Sequence, residues 1–144
     1  MRYLLLLLLF FNQTLMFAQI DESFDDGDFS MSPTWAGTGE NFIVNASNRL
    51  QLDDDEATQS WLSTGFAPAP LDNKEWNFWV KHSFSGSSNN FTRIYLSSIQ
   101  ENLSFIDATS AGAEGYFLLL GEAGSEDAIR LFRDGLAGEE PVER

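Results

Sequence analysis

The chain has 144 residues, of which 22 are acidic and 8 are basic, so its net charge at neutral pH is −14. This length suits one domain with one core, and the negative charge repels phosphate backbones, which argues against nucleic acid as a partner. The chain has no cysteine. Disulfides and thiolate metal sites are therefore excluded. Packing must supply the stability, and a bound ion is the other possible contribution.

The first 18 residues have the layout of a secretory signal peptide. Arg2 supplies one positive charge, residues 4–11 form an apolar centre, and Ala18 is the small residue at the expected cleavage point. A spanning helix needs about 20 apolar residues, so this run is too short to anchor the chain. We predict a secreted or cell-surface protein in which residues 19–144 form a single domain with no membrane span.

Short β-prone runs follow, separated by turn residues. Residues 41–46 and 49–52 are joined by a Ser-Asn pair and predict a hairpin, and residues 59–64 predict another strand. Residues 53–56, which are all acidic, predict a solvated loop between them.

The pattern that favours a sheet most strongly lies in residues 76–84, where side chains alternate with a period of two. A second run of this kind covers residues 91–99, and the connector, residues 85–90, consists of Ser, Gly and Asn. These two runs predict an antiparallel hairpin at the centre of a sheet.

Residues 114–121 form a continuous apolar run that predicts a strand covered on both faces, and residues 127–133 predict the next strand. The polar tail, residues 134–144, predicts a loop. Short strands with turns at intervals of roughly ten residues predict an all-β, antiparallel β-sandwich or jelly roll. No closing apolar segment follows, so we expect a truncated sandwich that is incomplete at its C-terminal end.

Eight stretches together resemble a recurring N-terminal module of large secreted and cell-surface proteins from Gram-negative bacteria that use the type IX export route. They are residues 22–29, 33–35, 41–45, 50–52, 61–64, 75–80, 93–96 and 115–117. The resemblance covers most of residues 22–133. It implies a concanavalin A-like (laminin-G-like) jelly roll placed ahead of other β-sandwich domains, and it specifies a fold more than an activity.

Acidic residues near the start of the mature chain could bind calcium, which prefers six to eight oxygen ligands. Neither residues 25–28 nor residues 53–56 match the spacing of an EF-hand loop, and solvated turns are the simpler interpretation. The resemblance implies a structural ion near the N-terminal strand. If calcium is bound, we therefore expect Asp25, Asp26 and Asp28 to hold it.

Aromatic residues flanked by polar ones suggest a carbohydrate-binding face, because the C–H face of a sugar packs on a ring while its hydroxyls need polar partners. On the predicted strands, Trp79 shares a face with Asn77, and Tyr95 shares one with Arg93. These four residues are the predicted ligand-binding set. The alternative is that each ring belongs to the core.

Catalysis has little support in the sequence. His82 is the only histidine and lies among apolar residues of its predicted strand, and no predicted strand carries two acids on one face. We predict a monomeric, non-catalytic recognition module that binds a polysaccharide or glycan or mediates adhesion. Two alternatives remain open: a structural spacer without a ligand, and the N-terminal part of a glycoside hydrolase.

Overall fold

The computed structural model describes residues 20–56, 58–66, 74–87, 90–100, 102–104, 113–121, 129–135 and 138–142. Within these ranges the chain contains eight β-strands and one 3₁₀ turn, with no α-helix. All strand pairs are antiparallel. The predicted all-β, antiparallel class is therefore confirmed, whereas the predicted signal peptide lies outside the described residues.

The N-terminal half contributes two small strand pairs. Strand β1 (Ala36–Gly37) pairs with β4 (Leu62–Ser63), and β2 (Phe42–Val44) pairs with β3 (Leu50–Leu52). The 3₁₀ turn, Gly39–Asn41, leads directly into β2. The predicted hairpin is thus confirmed, while β1 lies where the Gly-rich sequence gave no strand signal.

The C-terminal half forms a four-stranded sheet in the order β5-β6-β7-β8. Its strands are β5 (Thr92–Ser98), β6 (Gly115–Leu120), β7 (Ile129–Gly135) and β8 (Gly138–Pro141). Strand β6 is central, in agreement with its continuous apolar sequence. Its two buried large side chains, Phe117 and Leu120, have opposite parity and so lie on opposite faces of the sheet.

An aromatic ladder crosses one face of this sheet. Tyr95, Phe117 and Phe132 are directly opposite one another on three neighbouring strands. The ring centroids of Tyr95 and Phe117 are 5.0 Å apart, and those of Phe117 and Phe132 are 5.2 Å apart and nearly parallel. Such cross-strand aromatic pairs stabilise a sheet by about 0.2–1 kcal/mol each. Phe117, which is fully buried, is the centre of the core.

A bulge in β5 fixes the register of the ladder. The pairing with β6 shifts between Tyr95 and Ser97, so Leu96 is the extra residue. The backbones come very close here, because a Cβ atom on Gly115 would overlap the carbonyl oxygen of Ser97. Only glycine fits this position without displacing a strand.

The prediction of a central hairpin from residues 76–84 and 91–99 is wrong. Residues 76–84 form no strand, and β5 pairs with β6 instead. Alternation shows which side chains share a side of an extended chain, but a strand also needs a partner for its backbone groups. The apolar run of β6 provides that partner and opposes Tyr95 with Phe117. Within the predicted connector, Ser87 and Asn90 exchange two backbone hydrogen bonds of 3.0 and 3.1 Å.

The C-terminal tail also differs from the prediction of a loop, because it contains β8. The edge of β7 was available for pairing, and residues Gly138–Pro141 occupy it. Pro141 is the last residue of β8 and lies opposite Phe132. A proline is tolerated there because an edge strand has unpaired N–H positions.

Candidate ligand-binding surface

Residues 74–84, called here the aromatic segment, present large apolar side chains to solvent. Trp79 is 62% exposed and Trp76 is 39% exposed. Three further members, Phe78, Val80 and Phe84, are also exposed. A contiguous exposed apolar patch rimmed by polar residues is typical of an interaction site. Asn77, one of the predicted ligand residues, is exposed in the same segment.

Arg49 positions the most exposed of these rings. Its guanidinium carbon lies 4.1 Å from the centroid of the Trp79 ring, which is a close cation–π contact. Arg49 directly precedes β3, so the β2–β3 hairpin supports the aromatic segment at this point. The contact fixes the orientation of the ring while leaving most of its area open to solvent. Sequence patterns do not predict this pair, because its members are 30 residues apart.

His82 attaches the end of the aromatic segment to the four-stranded sheet. Its Nε2 atom lies 2.8 Å from the Thr92 hydroxyl at the start of β5, and its ring stacks on Phe84 with centroids 4.6 Å apart. Gly86 lies so close to the Gly121 backbone, just beyond β6, that a Cβ atom there would overlap it. These contacts give the segment a fixed attachment and give His82 a structural role.

Arg93, a second predicted ligand residue, forms an ion pair within the sheet. Its Nη1 atom lies 2.7 Å from Glu139 Oε1, and its Nη2 atom donates a hydrogen bond of 3.2 Å to Oε2. The two side chains are only 11% and 22% exposed. The guanidinium carbon also lies 5.0 Å from the Phe117 ring centroid. Arg93 therefore links β5 to β8 across the aromatic ladder.

Tyr95, the remaining predicted ligand residue, packs on Phe117 beside this ion pair. Burial raises the pKa of the Tyr95 hydroxyl to about 12, although the nearby Arg93 guanidinium opposes the shift. Asp134 is 2% exposed on the same sheet and accepts a hydrogen bond of 3.0 Å from the Ala113 backbone N–H. The described contacts thus favour a packing role for Arg93 and Tyr95, whereas Asn77 and Trp79 are exposed. Ligand binding by all four stays a prediction.

The predicted calcium ligands form turns of their own. Asp26 accepts a hydrogen bond from the Asp28 N–H, and Asp28 accepts from the Ser30 N–H at 2.8 Å. The Ser30 backbone bond is the main reason why the pKa of Asp28 is lowered. In the described part of the chain, no three His, Asp or Glu side chains are grouped as a metal site would require. Calcium at Asp25, Asp26 and Asp28 stays a prediction.

The second acidic run contains an organised network rather than a solvated loop alone. Asp54 Oδ2 accepts hydrogen bonds from Asn41 Nδ2 at 2.9 Å, from Thr58 Oγ1 at 2.8 Å and from Ser60 Oγ at 2.6 Å. Asp54 Oδ1 accepts a further bond from the Glu56 N–H. These bonds, led by that of Ser60, lower the pKa of Asp54. The network connects the start of β2 to the loop before β4.

Comparisons with protein-family models, curated proteins and solved structures gave no match to this chain. The resemblance to the secreted jelly-roll module therefore stays a prediction from the sequence. Over the described ranges, no helix has the length and apolar character needed to cross a membrane.

Proposed function

We propose that this protein is a secreted or cell-surface, non-catalytic recognition module that binds carbohydrate through its aromatic segment. The antiparallel all-β architecture supports a sandwich of the concanavalin A-like jelly-roll type, in agreement with the stretches that resemble that module. Structural calcium at the N-terminal acids would be consistent with the same resemblance.

The observation that carries this proposal is the exposed ring of Trp79, 62% open to solvent and held by Arg49 at 4.1 Å. Burial of a tryptophan stabilises a fold, so a chain that leaves one this exposed gains no stability from most of its ring. A fixed, open ring suits the C–H face of a sugar. Asn77, two residues away, and the Arg49 N–H groups would supply hydrogen bonds to hydroxyls.

Binding of the full chain to a panel of neutral and anionic polysaccharides tests this proposal. We expect Trp79→Ala to weaken binding about tenfold or more, because loss of an aromatic anchor at the centre of an interface costs about 2 kcal/mol. Tyr116→Ala is the matched control, since Tyr116 is an exposed aromatic residue of β6. Circular dichroism of each variant would show that the fold is retained.

Equal binding by the two variants would contradict the proposal. A panel in which no polysaccharide binds would favour the alternative of a structural spacer.

A further inference from the structure

The surface around Trp79 has the opposite charge to the rest of the protein. The aromatic segment contains both lysines of the chain, Lys74 and Lys81, and only one acid, Glu75. Arg49 adds a third positive charge in direct contact with the Trp79 ring. These side chains sum to a charge of +2 in a chain whose net charge is −14.

Acidic residues are sparse in the sequence around Arg49 and between Glu75 and Thr92, although Asp72 lies two residues before Lys74. Arg49 is the only charged residue in residues 41–52, and Glu75 is the only acid in residues 74–92. The nearest acid after Arg49 in the sequence is Asp53, beyond the three residues of β3, so four steps of extended chain separate their Cα atoms by about 13 Å. That distance exceeds the Debye length of about 8 Å at physiological salt, so the acidic loop screens Arg49 only weakly.

The positive charges are close to the proposed stacking ring. Lys81 is exposed and only two residues from Trp79, so their Cα atoms are at most about 7.6 Å apart. A guanidinium that stacks on an aromatic face keeps its N–H edge available for a carboxylate or sulfate. Arg49 and Lys81 can therefore both reach an anionic group on a sugar that packs on Trp79.

We infer that the ligand of this surface is an anionic polysaccharide, one that carries carboxylate or sulfate groups along its chain. The inference rests on the proposed function and specifies its substrate class. Trp79 supplies the stacking platform, while Arg49 and Lys81 select for negative charge. The net negative charge of the protein repels polyanions elsewhere and so favours their binding at the positive surface around Trp79.

Polymers that share a backbone but differ in charge provide the test: dextran sulfate against dextran, and polygalacturonate against its fully methyl-esterified form. We expect the full chain to bind the charged member of a pair more tightly. Lys81→Gln and Arg49→Gln should each weaken that binding about two- to fivefold, the range for exposed ion pairs. Arg133→Gln is the control, because it removes the same charge from an exposed position on β7.

The outcomes separate the two proposals. Equal binding of charged and uncharged polymers, with both weakened by Trp79→Ala, would overturn the anionic ligand and keep the carbohydrate surface. Equal effects of Lys81→Gln and Arg133→Gln would also overturn it, because the total charge alone would then matter. Binding that is unaffected by Trp79→Ala would overturn the proposed function itself.

Discussion

At the scale of single residues, Asp54 shows how a polar side chain organises a segment that has little apolar burial of its own. Three side-chain donors and one backbone N–H converge on its carboxylate. Two of these partners, Asn41 and Ser60, lie on opposite sides of the β2–β3 hairpin in the sequence. Asp54 therefore closes the loop that returns the chain to β4.

Replacing Asp54 by Asn should lower the melting temperature and alter its pH dependence. The folded-state pKa of Asp54 is lowered from its ordinary value of 3.8. Its contribution to stability is thus complete above the unfolded value and is lost as the pH falls through the folded value. Thermal unfolding of the wild type between pH 5 and about 2 should show this loss, and Asp54→Asn should show less of it. The same behaviour in Asp55→Asn, an exposed neighbour, would contradict the assignment.

The sequence predicts such residues only in part. The alternation around Trp79 predicts one inward and one outward face, but Trp76, Phe78 and Trp79 are all exposed, so the pattern did not distinguish Trp79 from its neighbours. Its partner Arg49 and the four donors around Asp54 could not be found in this way, because side-chain pairing depends on the folded path of the chain. A run of acids predicts a charged loop, but it does not predict which carboxylate accepts the hydrogen bonds that organise the loop.

At the scale of elements, the bulge in β5 depends on a single missing side chain. Gly115→Ala should destabilise the protein by about 1–3 kcal/mol, the usual cost of overpacking, because the new Cβ would overlap the Ser97 carbonyl oxygen. Gly135→Ala is the matched control, since nothing lies within 4 Å of its Cβ position, and it should change the stability by less than about 0.5 kcal/mol. Denaturant unfolding of both variants measures the difference, and equal effects would refute the close approach.

The Arg93–Glu139 ion pair should contribute to the attachment of β8. Exposed pairs contribute about 0–1 kcal/mol, and loss of one partner from a fully buried pair costs about 3–5 kcal/mol. With side chains 11% and 22% exposed, this pair lies between the two limits. We expect Arg93→Met to cost about 2 kcal/mol in denaturant unfolding.

A double-mutant cycle distinguishes the pair from general packing. Arg93→Met combined with Glu139→Leu should cost less than the sum of the single changes, because neither charge is then left without its partner. Strictly additive losses would show that the ion pair does not couple β5 to β8.

The turn formed by local contacts was predictable, whereas the choice of partner for β5 and the presence of β8 were not. The β2–β3 turn is built from Asn45, Ser47 and Asn48, whose backbone N–H groups all donate to acceptors within four residues. Asn48 adopts a φ of 54°. The partner of β5 was mispredicted because hydrophobic pattern alone does not choose between two candidate strands. Strand β8 was missed because its short, acidic sequence forms a strand only against the edge of β7.

At the scale of the whole molecule, the acidic composition and the positive surface around Trp79 together would determine where an anionic polymer binds. The composition predicted an acidic protein that avoids nucleic acid, and it did not predict where the few positive charges would lie in the fold. The fold brings Arg49 of the hairpin onto Trp79 of the aromatic segment. The candidate surface therefore depends on tertiary structure, because residues that are far apart in the sequence form it together.

The proposal that a sugar stacks on Trp79 is tested most directly by whether bound polysaccharide protects this ring from solvent. Acrylamide quenching of tryptophan fluorescence would be measured on the full chain, with and without the tightest-binding polymer of the panel. We predict that the polymer reduces quenching in the wild type and reduces it much less in Trp79→Phe, because Trp79 is the most exposed ring that the sugar covers. Equal protection in the wild type and in Trp79→Phe would contradict the claim.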